Sequence, residues 1–185
     1  MMTASTLQQL IQFDPTRMRM LEQVRALALP DCWIGAGFVR NAVWDHLHRR
    51  PACLPGGDVD VIWYDPLHCA TAVDAALEVR LRAADASVEW SVKNQARMHL
   101  FNGDAQYGSV LDAMRFWPET ATAVAVRLGD DGGIEIAAPY GLDDLFAGLV
   151  RPTAQFTGSK RVIFDARWQG KRWLEKWPRL RLALI

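Results

Sequence analysis

The sequence predicts an α/β (α+β) fold, a small mixed β-sheet flanked by helices. Three observations lead there. Cys32-Trp33-Ile34 runs into the glycine-bearing turn Gly35-Ala36-Gly37 and then into an apolar helical stripe. Asp58 to Tyr64 places three β-branched and two aromatic residues in seven positions. Ala123 to Leu128 and Ile134 to Ala137 flank the turn-rich Gly129-Asp130-Asp131-Gly132-Gly133, as in a hairpin. With 185 residues, half apolar and 23% charged, the chain is sized for one core and too apolar for disorder.

Taken in order, Asp14-Pro15 reads as an N-cap followed by proline at the first helical position, and Met18, Leu21, Val24 and Ala28 recur at helical spacing until Pro30. Strand, tight loop and helix follow, the helix carrying Val39, Val43 and Leu47 and ending at Arg49-Arg50-Pro51. A Pro/Gly-rich loop from Pro51 to Gly57 delivers the chain to the strand from Asp58 to Tyr64. Asp65-Pro66 repeats the cap-then-proline signal, and Cys69, Val73, Ala76, Leu77 and Leu81 predict a second long helix over the sheet. Alternating Val88, Trp90 and Val92 predict a further strand to Lys93. After the hairpin, helical signals run from Leu142 to Leu149 and from about Lys160 to Trp177, where Pro178 stops the turn.

Charge is segregated. Residues 151–185 hold nine Lys or Arg against two acids, a segment charge of +7, and the first 150 residues hold twelve against nineteen, or −7. We therefore expect one domain over 1–150 and a basic, Trp-rich helical extension over 151–185 packed on it. Phe164 with Trp168, and Trp173 with Trp177, have the i,i+4 spacing of a stripe facing a core. Bases interleaved with aromatics also suit RNA, but docking on the acidic body is favoured. A net charge of zero removes any whole-molecule electrostatic case for nucleic acid or an anionic membrane. Three irregularly placed cysteines form no disulfide framework, and the N-terminus lacks a cationic start followed by a long apolar run. A soluble cytoplasmic protein without a membrane partner is expected.

The most informative chemistry is Asp58-Val59-Asp60. On a strand, residues i and i+2 project from one face about 6.5–7 Å apart, so both carboxylates reach toward the same ion or ion pair. Hard oxygen donors so placed suit Mg2+ or Mn2+ in phosphoryl or nucleotidyl transfer. Gly35 and Gly37 let the backbone approach a phosphate at a helix N-terminus, and Arg40, one turn on, is a candidate phosphate contact. Lys93, Asn94, Gln95 and Arg97 are unusually polar for a strand end and are candidates for holding a nucleotide or its acceptor, Lys93 above all. His46 and His48 diverge on a helix and are read as surface histidines.

Ile34-Gly35-Ala36-Gly37 followed by Asp58-Val59-Asp60-Val61 resembles the signature of the DNA polymerase beta-type nucleotidyltransferase superfamily. Gly37-Phe38-Val39-Arg40-Asn41 looks like the Gly-x-Val-Arg-Asp of tRNA-nucleotidyltransferases, with Asn41 for aspartate and Ala36 for one glycine. The chain is also similar to a bacterial nucleotidyltransferase-like family of unassigned function. That likeness runs through Trp33 to Gly37, Val92 to His99, Glu119 to Ala123 and Ala138 to Leu142. The resemblance implies a nucleotidyltransferase fold and Mg2+-dependent transfer of a nucleoside monophosphate from a nucleoside triphosphate to a hydroxyl, with release of pyrophosphate. It assigns the metal ions to Asp58 and Asp60, the phosphates to Gly35, Gly37 and Arg40, and a third acid to a neighbouring strand, for which Glu89 is the candidate. Two departures stand out: the twenty residues between Gly37 and Asp58, and the unfixed third carboxylate. The alternative is a non-catalytic nucleotide- or RNA-binding module on the same scaffold. A third is an interaction domain whose tail docks a partner.

Overall fold

A computed structural model describes residues 2–51 and 57–183. The chain runs α1 (Met2–Gln12), α2 (Pro15–Arg25), β1 (Trp33–Gly35), α3 (Gly37–Leu47), β2 (Val59–Trp63), α4 (Thr71–Ala84) and β3 (Trp90–Asn94). Then come α5 (Met98–Asn102), α6 (Val110–Met114), β4 (Ala125–Leu128), β5 (Ile134–Ala137), α7 (Asp143–Phe146), β6 (Leu149–Val150), α8 (Arg161–Gly170), α9 (Trp173–Lys176) and β7 (Arg181–Leu182).

Five strands form one sheet in the order β3-β2-β1-β4-β5. β1 is antiparallel to β2 and β4, β4 to β5, and β2 runs parallel to β3 through the α4 crossover, so the sheet is mixed. Pairing of Ile34 with Val61 and with Val126 puts these residues on one face, where they join Trp63, Phe38, Val43, Trp44, Leu7 and Ile11 in the main core. The opposite face carries Ile62, Ala125 and Ala137 under Val110, Met114 and Trp117, a smaller cluster that leaves the rest of that face open.

Local chemistry sets the boundaries. Asp14 caps α2 by accepting from the Thr16 and Arg17 amides, with Pro15 at the first helical position. Asp65-Pro66, read above as a second such cap, is not one: α4 begins only at Thr71. The Asp65 carboxylate instead accepts from the Leu67 amide (2.8 Å) and pairs with His68 (2.7 Å), while buried Asn94 binds the Asp65 amide and carbonyl and the His68 carbonyl. With those groups taken, the segment is a turn. The helix expected over Leu142–Leu149 is the single turn α7. The helix expected from Lys160 to Trp177 is broken into α8 and α9 by Arg172, whose φ of 52° is left-handed. The N-terminal helix α1 was not foreseen, although Leu7 and Ile11 bury a clean i,i+4 pair. Of the loop predicted over 51–57, residues 52–56, including Cys53, lie outside the described residues.

Arg172 turns the chain so that Trp173 and Trp177 pack edge-on against Trp44, at ring-centroid distances of 5.4 and 5.2 Å. The Trp177 indole donates to Asp45 (2.7 Å). His48, half-buried rather than a free surface histidine, accepts from the Arg179 amide at Nε2 (2.9 Å), which leaves Nδ1–H to donate to the Trp44 carbonyl (2.7 Å). β6 pairs with β7, Leu149 opposite Arg181. Among the described residues no helix is long and apolar enough to cross a membrane.

Candidate active site

The open part of the second sheet face is the floor of a cleft of about 500 Å3. Asp60 and Ile62 of β2, Ala36 of the β1–α3 turn and Thr122 line it from the sheet side; Lys93 and Gln95 from the end of β3; Phe101 and Asn102 from α5; Trp117 and Pro118 from the segment after α6. Lys160, Ile163 and Arg167 close it from the C-terminal segment. The cleft thus joins two carboxylates, Asp60 and the Lys160-paired Asp104, with several cations and aromatic faces.

Asp60 is half-buried, and its pKa is pushed up to about 6, first by loss of water and next by the negative charge of Asp58. Lys171, Arg40 and Arg167 act the other way, in that order. Asp58 lies exposed one residue before β2. Asp60 therefore stands on the cleft floor with the charge of Asp58 acting on it, while Asp58 itself is not part of the cleft lining; cations of α3 and of the α8 region act on Asp60 in the opposite sense.

The glycine turn is built differently from its reading. A Cβ on Gly35 would sit 3.1 Å from the Trp117 ring, 3.3 Å from Ile62 and 3.4 Å from the Val124 carbonyl, so glycine is required there for Trp117 to lie against the sheet. Gly37, first residue of α3, would tolerate a side chain at ordinary contact distances. Between them Ala36 has φ 52° and ψ −120°, a region natural to glycine, and it faces the cleft. Arg40 is buried behind the wall: it donates to Asn41 Oδ1 (2.9 and 3.2 Å) and Thr122 Oγ1 (3.0 Å), and stacks on Trp44 (5.0 Å) and Trp173 (4.4 Å). Burial lowers its pKa to about 10, partly opposed by Glu119.

Lys93 lines the cleft while its Nζ donates to Glu78 (3.0 Å). Gln95 lines it too, but Asn94 and Arg97 do not: Asn94 holds the Asp65 loop, and Arg97 is ion-paired with buried Asp74. Glu89 precedes β3, and its carbonyl accepts from the Val59 amide; its side chain is exposed and outside the cleft lining. Among the described residues no group of three His, Cys, Asp or Glu is placed to hold a metal ion. Thr122, Lys160, Arg167 and Lys171 belong to this neighbourhood and were missed as site residues. The signal for the cations was present, since Arg167 and Lys171 are i,i+4 in the basic tail.

Magnesium is bound in nucleotide sites through one or two carboxylates plus substrate phosphates, rather than by a full protein cage. Two neighbouring carboxylates, one resisting ionisation mainly through burial and next through the charge of the other, fit an ion that arrives with a triphosphate.

Mixed sheet, glycine turn and an aspartate-bearing strand together define the nucleotidyltransferase fold class. The family model described as "Nucleotidyltransferase" matches residues 22–182, and the chain belongs to that family. A solved structure described as revealing a CCA-adding enzyme head domain superposes with a TM-score of 0.85 at 34% identity, over 98% of this chain and 96% of that one. A CCA-adding enzyme in complex with CTP gives 0.58 at 14% identity, over 98% of this chain and 43% of that one. The Thermotoga maritima CCA-adding enzyme complexed with tRNA gives 0.55 at 15%, over 97% and 42%. These last two likenesses concern the fold, and the chain spans well under half of those enzymes. No curated protein matches the chain in sequence.

Proposed function

We propose that this chain is a Mg2+- or Mn2+-dependent nucleotidyltransferase that moves a nucleoside monophosphate from a nucleoside triphosphate to a hydroxyl. The observation that carries the reading is Asp60 at the floor of a cleft that also offers cations and aromatic faces, with the charge of Asp58 acting on it. In the reaction an acceptor oxygen forms a bond to the α-phosphorus, the bond from that phosphorus to the α,β-bridging oxygen breaks, pyrophosphate departs, and the hydroxyl proton passes to solvent or a nearby base. Asp58 and Asp60 hold the divalent ion, which when bound neutralises phosphate charge and favours the in-line displacement. Backbone amides at the start of α3 face the phosphates past strained Ala36. Phe101 and Trp117 offer apolar surface to a base. Neighbouring folds seen with CTP and ATP support a triphosphate as ligand.

Thermal-shift measurements with each of the four triphosphates, in Mg2+ and in EDTA, test the binding step. One triphosphate should raise the melting temperature only with the metal, and Asp58→Asn and Asp60→Asn should each abolish that rise. Equal shifts in the variants would refute the reading. A second reading, a nucleotide-binding module without turnover, is favoured by the exposed Glu89 and by the lack of a third acid grouped with the pair among the described residues. Metal-dependent binding with no pyrophosphate release from any triphosphate, across a panel of RNA, sugar and protein hydroxyl acceptors, would select it.

A further inference from the structure

We propose that the C-terminal helix α8 completes a subsite for the outer phosphates of a nucleoside triphosphate, or for free pyrophosphate, in which Arg167 and Lys171 bind the anion and Glu119 is the positioning residue that aims Arg167. The proposal deepens the nucleotidyltransferase reading and rests on it for the identity of the nucleotide.

The cleft's cations separate by what already holds them. Lys93 is paired with Glu78 and Lys160 with Asp104 (3.3 Å). Arg40 is enclosed between two tryptophans, with its guanidinium on Asn41 and Thr122. Arg167 differs. Only its Nε is engaged, donating to Glu119 Oε1 at 2.8 Å, and no described residue accepts from its two Nη amines. Glu119 is fully buried, and its other oxygen, Oε2, has no hydrogen-bond partner, so the carboxylate holds the guanidinium by one edge rather than closing on the whole fork. A guanidinium fixed through Nε presents its Nη pair in a set direction, the geometry for bidentate contact with phosphate oxygens. Arg167 lines the cleft beside Asp60. Lys171, exposed at the C-cap of α8 and without an ion-pair partner among the described residues, follows Arg167 by four positions, one helical turn along the same side of α8. Two uncommitted cations one helical turn apart, the first lining the same cleft as Asp60, supply what the outer phosphates need. In the transferase reading, they also stabilise the charge that develops on pyrophosphate as it leaves.

The test is calorimetric titration of the full chain with inorganic pyrophosphate in EDTA. The same titrations use each nucleoside triphosphate and monophosphate in Mg2+, and a single-stranded oligonucleotide, with circular dichroism checking the fold of every variant. Lys171→Gln and Arg167→Lys should each weaken pyrophosphate and triphosphate binding about tenfold, the loss of one charge-assisted contact, while monophosphate binding stays within about twofold. Lysine keeps the charge but cannot hold Glu119 with one nitrogen and an anion with two others. Glu119→Gln, which keeps an acceptor for Nε, should retain pyrophosphate binding within about threefold. Glu119→Met, which keeps none, should fall to the level of Arg167→Lys. The double variant Arg167→Gln with Glu119→Gln leaves no stranded buried charge and should fold and lose pyrophosphate binding. Unchanged pyrophosphate binding in folded variants, equal loss of monophosphate, or loss confined to the oligonucleotide would each overturn the subsite. A wild-type chain that binds pyrophosphate through Arg167 but binds no triphosphate would retire the transferase reading and keep the subsite. Mg2+-dependent triphosphate binding that is indifferent to Arg167 and Lys171 would do the reverse.

Discussion

The two faces of the sheet treat charge in opposite ways. On the helix-covered face every buried acid has partners. Asp14 is paired with Arg17. Asp74 accepts from the Trp63 indole (2.8 Å) and the Asn94 amide and pairs with Arg97, and Asp45 accepts from Trp177. On the cleft face half-buried Asp60 bears the like charge of Asp58, and both the strained Ala36 and the uncommitted edge of Arg167 are there too. Folding alone favours the first arrangement. The second costs stability, and such costs gather at functional sites.

Four substitutions break or sharpen this contrast. On the closed face, Trp44→Ala should cost about 3–5 kcal/mol in urea unfolding, because the fully buried ring holds Trp173, Trp177 and the Arg40 guanidinium together. A loss below about 1 kcal/mol would mean the tail docks without it. On the cleft face the sign should invert for Asp60→Asn, which stabilises the protein by about 1–3 kcal/mol at neutral pH. The folded-state pKa of about 6 lies above the ordinary 3.8, so the folded protein holds this proton more tightly than the unfolded chain does. The wild type therefore loses stability from this group as pH rises from about 4 to about 6, and the advantage of the variant should vanish near pH 4 and be complete above pH 7. A pH-independent difference would count against the raised pKa. Over the same range, stabilisation of the wild type by Mg2+ with triphosphate should grow as pH rises through about 6. Next, Gly35→Ala should cost about 1–3 kcal/mol and weaken ligand binding together, since the added carbon displaces Trp117 from the cleft wall. Smallest is Ala36→Gly, expected to raise the denaturation midpoint by the equivalent of about 0.5–1 kcal/mol by relieving the positive φ. A lowered midpoint would show that the alanine methyl makes contacts worth more than the strain.

Much of the closed face was legible in the linear pattern. The helical stripe of Val39 and Val43, the alternation in Asp58 to Tyr64 and the hairpin turn all depend on neighbours a few positions away, and their periods survive in the sequence. Asp65-Pro66 misled because its carboxylate is claimed by Leu67 and His68, and its backbone by Asn94, a residue from another strand end. Two acids two positions apart were visible in the sequence, but Asp58 falls one residue short of β2, and of the two only Asp60 lines the cleft. Arg40 matched a motif, yet the tail folds Trp173 over it, and no local rule encodes that. Glu119 and the α8 cations come from segments far apart in the chain, and the break at Arg172 with the docking on Trp44 sets α8 at the cleft that β2 also lines.

By itself the sequence determined the alternation of strands and helices and the two-residue spacing of Asp58 and Asp60, because each follows from spacing within one stretch of chain. Tertiary structure alone decided which cations face that pair, which arginine is enclosed and which keeps a free edge. Those outcomes depend on packing between elements far apart along the chain, where burial and competing partners, rather than residue type, set what a side chain has left to offer.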